Sequence, residues 1–299
     1  MAASTGSAWA SGIDAQYLYN LSNFTGTIPY NWVRVFCDKK TGEVYVLNTT
    51  DRNIKIFNTN GMEVYSFGDD GALGDLYDVT EEEDGNLLVL SYNAGKYSVI
   101  RADFRGDPIS KVEVKGLPAG LTAGFYPNNV IYDAGRIYLV DKNSMKVLVT
   151  DKDGAFEKMD DLGKLLGFDE KKRSETGMAG FSMDDDGNML FTIPSIFSAF
   201  VVSPDGKVKS FGVRGSSPGK FNIVGGITRD DKGNCFVVDT LRGVVMVFDK
   251  DYKFMTEFGN WGFDPGNLVS PMEVATGRDK VYVTQSRGRG VSVYRVSED

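Results

Sequence analysis

"GGITRDDKGNCFVVDTLRGVVMVFDKDYKFMTEFG", Gly225 to Gly259, contains four apolar runs separated by polar turns. A first run leads into Asp-Asp-Lys-Gly; Cys-Phe-Val-Val-Asp, Val-Val-Met-Val-Phe-Asp and Lys-Phe-Met-Thr-Glu-Phe-Gly follow, each after a short loop. Short Val-, Ile- and Phe-rich runs bounded by such turns are the pattern of consecutive antiparallel hairpins. The stretch therefore reads as a four-stranded meander. Cys235 to Val238 is apolar without alternation, as expected of a strand covered on both faces.

The same order recurs along the chain. "VRVFCDKKTGEVYVLNTTDRNIKIFNTNGMEVYSFG" repeats it around Gly42, and weaker copies centre on Gly85, Gly135, Gly187 and Asp279. Six units result, spaced from 43 residues (Gly42 to Gly85) to 52 residues (Gly135 to Gly187). One meander cannot cover two apolar faces by itself, but six arranged radially can, so the expected fold is an all-β six-bladed β-propeller of four-stranded antiparallel blades. The last unit has only three strands, whereas the N-terminal "AQYLYNLSNF" is a strand without a unit. Residues 16–24 are therefore expected to complete the last blade and close the ring. "FGVRGSSPGKFN" (Phe211 to Asn222) and "FGNWGFDPGNLV" (Phe258 to Val269) then become crossings from one blade's outer strand to the next blade's inner strand. The expected domain spans 15–299, preceded by a tail over 1–14.

"SSPGKFNIVGGITRDDKGNCFVVDTLRGVVMVFDKDYKFMTEFG" resembles an NHL repeat, and the unit around Gly42 is the next best match. The Asn-His-Leu signature is missing: Leu241 and Arg242 hold its place in the fifth unit, Arg52 and Asn53 in the first. The resemblance implies a six-bladed propeller and leaves the activity open among binding modules, RNA readers and an amidating lyase. The lyase's zinc is held by histidines, and this chain has no histidine, so that activity does not carry over.

The absence of histidine also excludes Ser-His and Cys-His nucleophile pairs and haem with a His ligand; no haem and no other cofactor is expected. With 41 acidic against 33 basic residues the net charge is −8, which disfavours nucleic acid as a partner. No apolar stretch is long enough to form a membrane span. Cys37 and Cys235 fall in the first and fifth units, which are not neighbours in a ring of six, so both are expected to be core residues and not a disulfide. Ala8-Trp9-Ala10 resembles an A-x-A processing site and suggests an extracytoplasmic protein; an ordinary tail on a cytoplasmic one is the alternative.

In a propeller the first-to-second and third-to-fourth strand turns share one face, and the second-to-third loops share the other with the blade crossings. Acidic residues crowd the hairpin face: Asp38, Glu81 to Asp84, Asp133, Asp184 to Asp186, Asp230 and Asp231. The loop face carries Arg52, Lys96, Lys142, Lys146, Arg242, Arg287 and Arg289. The oversized crossing "DDLGKLLGFDEKKRSETG" (Asp160 to Gly177) adds a helical turn at Leu162, Leu165 and Leu166, then Lys171, Lys172 and Arg173. The expected function is a non-enzymatic protein-interaction module or scaffold whose basic loop face meets a partner with an acidic patch. The alternative is a channel-metal hydrolase or lactonase-like enzyme, with an oxygen-ligated ion held by Glu273, Asn129 and Asp78 near the starts of inner strands. "DKDG" and "DDDG" (Asp151 to Gly154 and Asp184 to Gly187) lack the twelfth-position Glu of a calcium loop and read as turns.

Overall fold

Six four-stranded antiparallel sheets follow one another around a central channel in the computed structural model, which describes residues 12–23, 26–27, 33–286 and 288–298. Blade 1 comprises Val33–Cys37, Val44–Asn48, Asn53–Phe57 and Glu63–Phe67; blade 2, Asp75–Glu81, Leu87–Asn93, Lys96–Ala102 and Pro108–Val112. Blade 3 comprises Asn129–Asp133, Arg136–Asp141, Lys146–Asp151 and Phe156–Asp161; blade 4, Phe181–Met183, Met189–Ile193, Ser198–Val202 and Val208–Phe211. Blade 5 holds Val224–Arg229, Cys235–Asp239, Val244–Phe248 and Phe254–Phe258. In blade 6, Pro271–Gly277, Lys280–Gln285 and Val291–Glu298 are completed by Ile13–Asn20, paired antiparallel to Val291–Glu298. The closing strand thus begins three residues earlier than the sequence suggests, and it ends at Asn20. Phe24 and most of the proposed tail lie outside the described residues.

The core is a ring of inter-blade layers. Second strands such as Val44–Asn48 and Cys235–Asp239 are buried at every position, because a blade packs on each side of them. One apolar cluster joins Leu190 and Val201 of blade 4 to Val237 and Met246 of blade 5, and another joins Val238 of blade 5 to Val283 of blade 6 and Ile13 of the closing strand. Cys37 and Cys235 are free and buried.

The repeated Phe-Gly at the crossings has a steric cause. Gly212 has a φ of 96°, and a Cβ there would lie 2.1 Å from the Phe221 ring; Gly259 has a φ of 81°, and its Cβ would lie 2.8 Å from Leu268 Cδ1. Each crossing turns back on itself through a parallel bridge, Arg214 to Phe221 in one and Trp261 to Leu268 in the other. The returning side chain is seated on the glycine, which only a residue without Cβ permits.

The long crossing between blades 3 and 4 contains two short helices, Leu162–Leu165 and Glu170–Ser174, capped by the Asp161 and Asp169 side chains. The first is the expected helical turn; the second covers the basic run. Among the described residues no helix is long and apolar enough to cross a membrane.

Candidate functional site

Two places concentrate unusual chemistry: the channel and the loop face. The channel is a cavity of about 290 Å³ lined by the inner strands of all six blades. Near its loop-face end lies a four-residue ion cluster. Arg34 of blade 1 donates from Nε to Asp78 Oδ1 at 3.0 Å, and its second terminal nitrogen lies 3.4 Å from Glu273 Oε1. Asp78 Oδ2 accepts from the Val130 amide at 2.9 Å, and Lys142 Nζ approaches Glu273 Oε1 at 4.0 Å. Asn129 borders the same cavity, and its Oδ1 is buried without a hydrogen-bond partner.

Asp78, Asn129 and Glu273 therefore do come together, as their positions on inner strands suggest. A guanidinium lies between the two carboxylates, however, so the three residues do not present a free oxygen set to an ion. Arg34 went unassigned in the sequence although a lone cation inside the apolar run Val33–Cys37 is the signal that marks it. Burial works against its charge, but Asp78 and Glu273 outweigh that and hold its pKa above the ordinary value. Burial raises the Asp78 pKa, opposed by Arg34. Lys142 is lowered to about 8 by burial and then by the Arg34 charge, against the pull of Glu273 and Asp78.

Lys142 supplies a pH test. Its folded pKa lies below the ordinary 10.5, so between about pH 8 and 10.5 the unfolded chain holds a proton that the folded chain has lost. This group's contribution to stability consequently rises with pH across that window and is unfavourable below it. Lys142→Met should stabilise the protein at pH 7 on the order of 2 kcal/mol, and the difference from wild type should shrink by pH 10. Urea titrations at pH 7 and 10 that give the same difference would show that the amine is not charged and buried at neutral pH.

Five aspartates of the hairpin face build its turns, whereas Glu82 pairs with Arg101 and Asp185 with Lys39. Asp103, Asp151, Asp184, Asp230 and Asp249 each accept, through Oδ1, the amides two and four residues ahead. An Asp at the turn's start is thus demanded by the hairpin itself, whatever the face does. A second repeated device, missed in the sequence, anchors the loop face: near the end of second strands sit buried Asn48, Asp141, Thr192, Asp239 and Gln285. Asp141 accepts from the Tyr126 amide, Thr192 from Gly180, Asp239 from Asn222 and Ile223, and Gln285 from Val269, which fixes each incoming crossing.

The loop-face cations are not equivalent. Arg242 is paired with Glu257, with only 13% of its side chain exposed, and Lys142 points to the channel cluster. Arg52 is exposed and pairs with Asp75 at 3.0 Å, Lys146 is half-buried, and Arg287 lies outside the described residues. Arg289 lies over the Phe263 ring at 5.7 Å. On the long crossing, Arg173 turns back to Asp161 at 2.8 Å, Lys172 Nζ sits 4.1 Å from the Phe168 ring centre, and Lys171 is exposed.

Exposed apolar side chains accompany them. Val213, Leu241, Trp261 and Phe263 are each more than half exposed, and Ile223 is exposed beside them in sequence and structure. They form an arc across blades 4 to 6. Arg214 of the first Gly-Pro crossing covers Phe197 of the blade 4 loop at 5.0 Å, and the Ile223 carbonyl accepts from the Thr240 amide of the blade 5 loop at 2.8 Å. The backbone of Trp261 then abuts that loop at Gly243, where a Cβ would lie 2.7 Å away, and Trp261 meets Phe263 edge-on at 6.0 Å.

No protein-family model and no curated protein sequence matches the chain. Solved structures do. A structural genomics protein of unknown function from Bacteroides thetaiotaomicron is similar at a TM-score of 0.67 and 14% identity, over 95% of this chain and 76% of that one. Luciferin-regenerating enzyme is similar at 0.58 and 13%, over 95% of each chain. A catalytically inactive histidine-to-alanine variant of virginiamycin B lyase from Staphylococcus aureus, solved with quinupristin, is similar at 0.57 and 11%, over 92% of this chain and 84% of that one. At such identities the likeness concerns architecture, and this chain is a six-bladed β-propeller.

Proposed function

We propose that this chain is a non-enzymatic NHL-type propeller that acts as a protein-interaction module or scaffold through its loop face. The observation that carries the reading is the exposed arc Val213, Ile223, Leu241, Trp261 and Phe263, mounted on two crossings and the blade 5 loop that buried Asp239 and Gln285 hold in place. Exposed aromatic and aliphatic side chains on a rigid support are the composition of an interface centre. Exposed Arg214 and Lys220 flank the arc together with Arg289, while Asp264 is the acid within it, so the favoured partner is a protein with an acidic patch. Arg52, Lys146, Lys171 and Lys172 extend the positive rim, whereas Arg242, Lys142 and Arg173 contribute through the pairs that fix them. We place the module outside the cytoplasm on the strength of Ala8-Trp9-Ala10.

The lyase neighbour lends no activity, because its inactive variant lacks a histidine and this chain has none. The hydrolase reading is weakened by Arg34, which lies between Asp78 and Glu273, and by Lys142, which approaches Glu273.

The test is quantitative binding to the protein captured from the native source. Trp261→Ser with Leu241→Ser should weaken its Kd at least about a hundredfold, since buried hot-spot side chains are worth about 2 kcal/mol or more each. Reversal of the hairpin-face pair Asp230 and Asp231 should leave the Kd within a few-fold. The opposite ranking would assign the partner to the acidic face.

A further inference from the structure

Asn60–Gly61 is the one Asn-Gly pair in the chain. It lies in the turn between the third and fourth strands of blade 1, where Asn58 plays the part that Asp103, Asp151 and Asp249 play elsewhere. Asn58 Oδ1 accepts from the Asn60 amide at 2.9 Å and from the Met62 amide at 3.1 Å. The residue before the turn's glycine is Arg105 in blade 2, Asp153 in blade 3 and Asp205 in blade 4, so the turn itself does not require asparagine there. Asn60 is exposed to water.

The same turn is where blade 1 clasps the closing strand. Gly61 is buried with a φ of 78°, and a Cβ there would lie 2.2 Å from Tyr19 Cε2, so the Tyr19 ring rests on the glycine. The Gly61 carbonyl accepts from the Ser22 amide at 3.4 Å, just beyond the strand's end. Lys280 of blade 6 lies 5.8 Å from the Tyr19 ring centre and donates to the Thr59 carbonyl. These contacts hold the strand that closes the ring from its blade 1 side.

We propose that Asn60 is a modification site, at which cyclisation onto the Gly61 amide and hydrolysis to isoaspartate loosen the closure of the ring. In the first step the Gly61 backbone nitrogen attacks Asn60 Cγ. A new N–Cγ bond forms, the Cγ–Nδ2 bond breaks, and the Gly61 proton leaves with the ammonia, giving a succinimide. Water then opens either carbonyl of that ring, leaving aspartate or isoaspartate. Glycine permits the attack because no Cβ crowds its nitrogen. The isoaspartyl product carries one more carbon in the main chain, immediately before the residue on which Tyr19 rests, and a close-packed contact does not absorb such a shift. The Gly61 amide donates to the Asn58 carbonyl at 2.9 Å, so this bond must open first and the reaction is slower in the folded chain than in a free peptide. Base speeds it, since the attacking amide must give up its proton. The inference is independent of the loop-face docking reading.

The experiment ages the whole chain at pH 8.5, beside a sample held at pH 5 and a peptide spanning Phe57 to Tyr65. Peptide mapping with isoaspartyl methyltransferase should find isoaspartate at Asn60 in the pH 8.5 sample, several-fold less at pH 5, and the fastest conversion in the peptide. The isoaspartyl fraction, separated by ion exchange, should melt at least about 3 °C below fresh protein and exchange the backbone amides of 13–20 faster. Asn60→Asp has the added charge without the added carbon and should melt within about 1 °C of wild type. Asn60→Arg, with the residue that blade 2 uses, should neither convert nor lose stability on ageing. No conversion of the folded chain at pH 8.5 while the peptide converts, an isoaspartyl fraction that melts and exchanges like fresh protein, or an equal loss in Asn60→Asp would overturn the proposal.

Discussion

A chain that begins at Thr25 is expected to lose at least about 5 kcal/mol of stability. The deleted segment supplies the outer strand of blade 6, pairing from Ile13 with Glu298 to Asn20 with Ser292. It also buries side chains in two different layers: Ile13 among Phe236, Val238 and Phe258, and Leu21 among Cys37, Val44 and Phe57. Burial of each such aliphatic side chain is worth about 1.5–3 kcal/mol, before the Tyr17–Tyr294 edge contact and the exposed strand edge are counted. Against a typical total of about 5–15 kcal/mol this is severe. The melting temperature should fall by about 10 °C or more, at roughly 2 °C per kcal/mol for a domain of this size. An unchanged melting temperature would mean that the strand is not the ring's closure.

Arg34→Met should be nearly as damaging at pH 7, costing about 3–5 kcal/mol, because it leaves Asp78 and Glu273 facing each other without the cation between them. Asp78 already has a raised pKa in the folded protein, and removal of Arg34 should raise it further. A raised carboxyl pKa means that the folded chain keeps a proton that the unfolded chain has lost, so this group's contribution falls as pH rises from the unfolded value to the folded one. The variant's deficit should therefore shrink on acidification toward pH 5. Calcium separates the metal reading from this one. In wild type a millimolar excess should leave the melting temperature unchanged, whereas bound calcium would add about 2.7 kcal/mol at a hundredfold excess over its Kd. A calcium-dependent rise in wild type that Glu273→Gln removes would show that the cluster is a metal site.

The ring was legible in the sequence because its causes are local and repeated. Asp-Gly and Lys-Gly turns flank runs such as Cys235–Asp239, and the orphan strand at Ile13–Asn20 has a single vacant edge to fill. What stayed hidden depends on distances across the ring. Lys142 and Glu273 lie on opposite blades, and only the channel's width decides that the amine reaches inward and not out to solvent. Arg242 looked like a surface cation, yet Glu257 on the neighbouring outer strand of its own blade draws it down. Among the hairpin-face acids, the stretches at Asp151 and Asp184 were legible as turns, while the hydrogen bonds that build such turns were not. Their five-residue spacing, in which Asp151 or Asp230 accepts amides two and four positions on, is a local rule that assigns them to turns.

Hydroxyl-radical footprinting of the chain, alone and saturated with its partner, tests the loop-face reading most directly. Trp261, Phe263 and Leu241 are exposed and reactive in the free protein, and burial in an interface should reduce their oxidation about tenfold, with smaller protection at Ile223 and Val213. Tyr65 and Phe104, exposed on blades 1 and 2 away from the arc, should be oxidised equally in both samples. Protection confined to Tyr65 and Phe104, with Trp261 and Phe263 oxidised as in the free chain, would contradict a partner docked on the arc.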